Sequence, residues 1–319
     1  MTTQSPYPAR GVAPGKVILL GEHAVVYGRP AVAAAIDRHV EVRITAGSDG
    51  ERIGEHPSAP TAQALRRAAE LMGVPCAALA VTIEANLPAA VGLGSSAALS
   101  VATLRAFADY TQRRLDDAAI CSAAFELEKL FHGFPSGIDN TVATYGGVIR
   151  FESGAVSAMT LPAAPLPLVI VIGRVLRQTQ QTVRALRARW ESAPATYERL
   201  FDEVATLVAD GEQALAAGDL VRLGVTMSAN HGVLRRLGVS TDELDELVAC
   251  AHAHGALGAK LTGGGGGGAV LCLCDGDRAA LVAAFARAGY HAFAADIHHP
   301  SRGSNAGTNP VRLERYEHL

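Results

Sequence analysis

Two carboxylates, Glu128 and Asp139, stand on either side of His132-Gly133-Phe134-Pro135-Ser136-Gly137, whose glycines and proline fix a sharp path. Upstream, Gly92-Leu93-Gly94-Ser95-Ser96-Ala97-Ala98 offers glycines, hydroxyls and the amides of a helix start, the groups that hold a phosphate. These residue types suit phosphoryl transfer. One carboxylate can take Mg²⁺ with the Ser96 hydroxyl, while the other orients or deprotonates an alcohol. Lysine usage points the same way: only three of the 28 Lys and Arg residues are lysine, and Lys16, Lys129 and Lys260 all lie in or beside Gly-rich segments. Keeping lysine there in an arginine-rich chain suggests positions that need a compact, strongly hydrated ammonium rather than a planar fork. If Lys16 lies beside Asp139, it keeps that carboxylate ionised and offsets charge on the transferred group. On spacing alone, a solvated helix face for Glu128 and an N-cap for Asp139 fit equally well.

Two further segments carry unusual residues. Gly21-Glu22-His23 follows an apolar run, so Glu22 and His23 emerge at the end of a strand. Lys260-Leu261-Thr262 opens six glycines, Gly263 to Gly268, which cannot form a helix or strand interior at acceptable entropic cost. With a strand directly behind them, they read as a ligand-covering loop rather than a flexible linker. A dinucleotide fingerprint is matched loosely by Gly92-x-Gly94-x-x-Ala97, but the acid expected about 20 residues on should end a strand. Asp109, Asp116 and Asp117 fall instead in or just after a helical stretch. No Walker motif occurs.

The elements that must position these residues follow from periodicity. Lys16 to Leu20, Val40 to Ile44, Leu79 to Ala85, Leu168 to Ile172 and Ala269 to Cys274 read as strands. Ser96 to Tyr110 and Tyr197 to Leu215 carry helical stripes, and Ser240 with Glu243 makes a capping-box signature before Leu244. Mixed elements of this kind mean α/β or α+β layers. At 319 residues two domains are expected, with the boundary in the proline-rich 161–167, giving domains 1–164 and 165–319. The stretch from 298 to 309 has almost nothing to bury and reads as a tail or surface loop, with His298 and His299 solvated rather than metal-bound.

Composition narrows the function class. A net charge of −3 with 18% charged residues gives no basic footprint for nucleic acid. No run approaches the ~18 apolar residues of a membrane span, and the polar N-terminus lacks a signal pattern, so the chain reads as cytoplasmic. Cys76, Cys121, Cys250, Cys272 and Cys274 include no Cys-x-x-Cys pair, which argues against a disulfide framework and a zinc knuckle. Most of them read as small core residues.

Taken together, Pro14 to Gly28, Gly92 to Ala98, His132 to Asn140 and Lys260 to Gly268 resemble, in order, the galactokinase, homoserine kinase, mevalonate kinase and phosphomevalonate kinase superfamily. Within it the similarity is to the mevalonate-phosphorylating branch, because Tyr usually replaces His23 in phosphomevalonate kinases and galactokinases continue with a Thr-Asp pair absent here. The resemblance implies an α+β fold: an N-terminal ATP-binding α/β domain with a left-handed β-α-β unit, and a C-terminal ferredoxin-like domain. It implies that Gly92, Leu93, Gly94, Ser95, Ser96 and Ala97 wrap the ATP phosphates, that Ser96 and Glu128 coordinate Mg²⁺, that Asp139 is the base or orienter for the substrate hydroxyl, and that Lys16 stabilises the transferred phosphate. It places Glu22, His23, Thr179 and Gly264 on mevalonate, and it admits a homodimer. A sibling kinase acting on homoserine or phosphomevalonate is the alternative. Three positions depart from the family pattern: Ala90 and Gly264 replace a usual Gly and Ala, and Phe134 replaces a usual Asn.

Overall fold

The computed structural model describes residues 8–46, 51–52, 60–75, 79–132, 135–159, 166–175, 179–297 and 311–312. Cys76, Gly133, Phe134, most of the proline-rich 161–167 stretch and the 298–309 segment with its two histidines lie outside the described residues. The chain is α+β and divides into two compact units that interleave along the sequence: Met1–Gly15, Arg38–Pro88 and Gly94–Gly146 in one, and Lys16–Asp37, Ala89–Leu93 and Gly147–Leu319 in the other. The expected cut after residue 164 is linear, whereas this partition gives the long strands Ala9–Leu20 and Ala31–Ala46 residues in both units.

In the first unit, helix Ser95–Tyr110 is the hub, packed by helices Pro60–Met72, Asp117–His132 and Ile138–Tyr145. Its buried face runs almost all the way round, from Ala97 to Ala108, because small residues such as Ala98, Ala102 and Ala106 let neighbours close in. Gly11 shows how tight this is: a Cβ there would sit 2.0 Å from the Ala102 carbonyl oxygen. Val40 to Ala46 pairs antiparallel with Leu79–Ala85 in this unit.

The second unit contains a four-stranded antiparallel sheet, ordered His291–Ala295, Leu168–Ile172, Ala269–Cys274, Ala256–Thr262. The chain visits it as strand, helices, strand, strand, helix, strand, the split β-α-β plan of ferredoxin-like domains. Leu168 to Val171 and Ala269 to Cys274 are continuously buried, which explains why both read as apolar runs. Helix Leu220–Arg236 reaches the edge strand through Gly224 and Gly258, where a Cβ on Gly258 would lie 2.1 Å from the Gly224 oxygen. Cys121, Cys272 and Cys274 are buried free thiols, as small core residues should be.

Strand predictions fall on strands, while helix starts shift. Ser96 to Tyr110 begins at Ser95, and Tyr197 to Leu215 is the centre of Pro194–Ala217, opened by a proline at its first turn. The capping box moves by one residue: Thr241 is the N-cap and its Oγ1 accepts the Leu244 amide at 3.3 Å. Ser240 instead donates to Asp245 at 2.6 Å, and Glu243 takes the Arg174 and Val175 amides at 2.8 and 3.1 Å. The side-chain carboxylate of Glu243 thus serves a neighbouring loop rather than its own helix.

Candidate active site

The phosphate-loop candidate ends in a glycine-capped helix. Gly94, at φ 72°, is the N-cap of Ser95–Tyr110 and supplies no side-chain cap, so the first-turn amides of Ser95, Ser96 and Ala97 are turned to the helix's positive end. Gly92 (φ 97°) makes the preceding left-handed turn, and Ala90 adopts φ 62°. For Ala this conformation costs about 1–2 kcal/mol. The Leu93 carbonyl accepts the Lys16 amide at 2.9 Å, tying the lysine-bearing strand to the loop.

Below that helix start lies a polar cluster. Ser96 Oγ donates to Glu128 Oε2 at 3.0 Å, Ser100 Oγ donates to Oε1 at 3.2 Å, and His132 Nε2 sits 3.0 Å from Ser96 Oγ. Glu128 is only 1% exposed, which sets aside the solvated-face reading. A carboxylate so deeply placed requires partners, and the facing helices provide them one turn apart: Ser96 and Ser100 on one, Glu128 and His132 on the other. Ser100 and His132 escaped the sequence reading as site residues, although their i+4 spacing from Ser96 and Glu128 was the available signal. Among the described residues no three His, Cys, Asp or Glu side chains converge as a metal-binding group.

Asp139 lies in the first turn of helix Ile138–Tyr145, half-buried, behind the N-cap Gly137 at φ 85°. It is therefore not the cap itself. Lys129, read in sequence with the phosphate segments, is a surface residue. Its ammonium pairs with Glu126 at 2.7 Å and lies 5.1 Å from the Phe125 ring centroid.

In the second unit Lys260 is the organising charge. Fully buried, it ion-pairs with Glu22 and donates to the Leu261 and Ile18 carbonyls at 2.8 and 3.3 Å. Asn230 Nδ2 donates to the other Glu22 oxygen at 3.1 Å. Burial pushes the Glu22 carboxyl up and the Lys260 ammonium down from their ordinary values, with each partner opposing the other's shift and the Lys16 ammonium adding to the lowering of Lys260. Lys16 is itself buried at 3% exposure.

The chain after Glu22 turns sharply. Gly21 adopts φ 102°, where a Cβ would fall 2.5 Å from Ala31 Cα, and His23 follows at φ 64°. That strained histidine places Nε2 3.1 Å from the Gly264 oxygen. The glycine run is shaped rather than loose: all of it except Gly264 has positive φ, and Gly266 and Gly268 donate to the Val239 and Val175 carbonyls at 2.9 and 3.2 Å. Thr179, the first residue of helix Thr179–Ser192, packs on Gly264 so closely that a Cβ there would lie 2.7 Å from its methyl. Of the candidates, His23, Thr179 and Gly264 thus come together, with Glu22 beneath them, and Ser96 and Glu128 come together in the first unit, which also holds Asp139.

His231 adjoins the buried pair through Leu261, whose amide donates to Nδ1 at 3.3 Å; Nε2 lies 3.0 Å from Asp245 Oδ1. Burial pushes its pKa down from 6.5 to about 4 against the pull of Asp245, so the ring is neutral with its proton on Nε2. A depressed value means that the unfolded chain takes up the proton first. The stability linked to His231 is therefore complete above about pH 6.5 and is lost as pH falls towards about 4, to a total of about 3 kcal/mol at about 1.4 kcal/mol per pH unit. Urea midpoints followed from pH 7.5 to 4.5 should drop more steeply for the parent than for His231→Gln. Parallel curves would remove His231 as the source.

Residues 59–147 match the family described as GHMP kinases N terminal domain, and residues 212–292 match GHMP kinases C terminal. Mevalonate kinase from Pyrococcus abyssi is 34% identical over 309 residues, covering 87% of this chain and 92% of that protein. The crystal structure of L. major mevalonate kinase in complex with R-mevalonate superposes with a TM-score of 0.83 at 31% identity, covering 94% of this chain and 98% of that one. Lactococcus lactis galactokinase complexed with galactose, at 18% identity and a TM-score of 0.73 over 97% of this chain and 96% of that one, shares the fold.

Proposed function

The chain belongs to the GHMP kinases, and on that premise we propose that it transfers the γ-phosphoryl group of ATP to the 5-hydroxyl of mevalonate. The observation that carries the phosphotransfer reading is the uncapped start of helix Ser95–Tyr110, with a serine hydroxyl 3.0 Å from a buried carboxylate. The choice of mevalonate follows the relatives, and a sibling activity on homoserine or phosphomevalonate is not favoured.

Ser96 and Glu128 fit Mg²⁺: one carboxylate and one hydroxyl, both oxygen donors, suit a hard cation that keeps its waters and phosphate oxygens rather than an all-protein cage. When bound, the cation neutralises charge on the β- and γ-phosphates. The protein's own groups do the rest. In this reading the Gly92 to Ala97 backbone holds the phosphates, Lys16 stabilises the transferred group, and Asp139 orients the substrate hydroxyl and accepts its proton. His23, Thr179 and Gly264 take the mevalonate, while Glu22, whose side chain is wholly buried against Lys260, holds the turn that presents His23. We assign ATP binding to residues 1–164 and the ferredoxin-like domain to 165–319, in a cytoplasmic enzyme of isoprenoid precursor synthesis whose assembly as a homodimer light scattering can test.

A coupled assay of ADP release should show kcat/KM for mevalonate exceeding that for phosphomevalonate, homoserine and galactose by about a hundredfold or more, since a site built to hydrogen-bond its substrate rejects analogues strongly. A higher value for any of the other three would overturn the substrate assignment.

A further inference from the structure

Ser96 Oγ has one proton and, among the described residues, two side-chain acceptors in reach, Glu128 Oε2 and His132 Nε2, each at 3.0 Å. A hydroxyl donates to one of them at a time. Ser100 already holds the other carboxylate oxygen, Oε1, at 3.2 Å, so Oε2 is the oxygen that Ser96 and His132 share; His132 Nε2 lies 3.7 Å from it. If Ser96 and Glu128 hold the divalent cation, as proposed above and as this inference requires, Oε2 is committed to the cation and the Ser96 proton must point elsewhere. Otherwise the proton would face positive charge.

We infer that His132 is a positioning residue for the metal site, accepting the Ser96 proton on Nε2 and so turning the Ser96 lone pairs towards the cation. The ring is placed for it. His132 is the last residue of helix Asp117–His132, one turn beyond Glu128, so carboxylate and imidazole are carried by the same rigid element. With its proton on Nδ1, the neutral ring presents an acceptor at Nε2. Partners of this kind, which touch a ligand rather than the metal, fix ligand orientation and commonly set affinity.

The test uses Mn²⁺ as the probe, with its binding to the full-length protein measured by electron paramagnetic resonance in the presence of ADP. His132→Leu should weaken Mn²⁺ binding about tenfold. His132→Gln, whose amide oxygen can accept in place of Nε2, should restore most of that loss, and neither variant should change ADP affinity in EDTA. His132→Lys offers only donors and should match Leu, which keeps the comparison open if the Leu variant folds poorly. Wild-type Mn²⁺ affinity in the Leu and Lys variants, or a Gln variant as weak as Leu, overturns the inference. Ser96→Ala and Glu128→Gln separate this from its premise: if neither weakens Mn²⁺ binding, the metal assignment itself is wrong.

Discussion

Replacing Asp139 with asparagine is expected to lower kcat by about 10²–10⁴-fold, the range that a positioned general base contributes. The substitution keeps size and one hydrogen-bond acceptor but removes the charge that draws the proton from the substrate hydroxyl. Stability should change little, because the residue is half-buried in a first helical turn, where losing a negative charge costs about 0.3–1 kcal/mol. ATP affinity should also hold, since the phosphates are assigned to the Gly92 to Ala97 backbone and Lys16. Single-turnover phosphorylation of mevalonate, alongside nucleotide binding by calorimetry, separates these effects. A variant with parent-like turnover would take Asp139 out of the chemistry, and one that loses ATP binding as well would recast it as a nucleotide ligand.

Breaking the buried ion pair should produce the largest loss of stability. Lys260→Met leaves the Glu22 carboxylate wholly buried with, among the described residues, only Asn230 as a side-chain partner, and removing one member of such a pair costs about 3–5 kcal/mol. The pKa directions agree with this account, because burial disfavours the charged form of both groups and their mutual attraction offsets the cost only in part. The double variant Glu22→Gln/Lys260→Met should therefore lose clearly less than the sum of the two single variants, since neither orphans a charge in it. Urea unfolding of all four proteins completes the cycle. Additive losses would mean that the pair contributes packing alone.

The second consequence of that pair is functional. Glu22 precedes the strained His23, and His23 contacts Gly264 a few residues beyond Lys260, so the charge pair and the histidine contact pin the same turn to the same loop. Positive φ at His23, a residue with a Cβ, stores strain, and a strong buried tie is what keeps that turn in place.

Several features needed no coordinates. Leu168 to Ile172 and Ala269 to Cys274 are strands because uninterrupted apolar runs of that length leave little else, and all but Ile172 are buried, as such runs require. The Gly92 to Ala98 loop and the Gly263 to Gly268 run announce left-handed backbone by composition, since only glycine enters it without penalty. These are local properties, set by residues within a few positions of one another. Which face of helix Asp117–His132 turns inward was not local, and Glu128 looked as much like a solvated acid as a buried ligand until Ser96 and Ser100 met it from another helix. Nor could spacing tell Lys129, on the surface, from Lys260, buried against a carboxylate 238 residues away. Sequence thus determined the conformations the backbone adopts and the chemistry its side chains carry, whereas tertiary packing decided which charges leave water and which partners meet them, because burial and pairing depend on neighbours that no window along the chain contains.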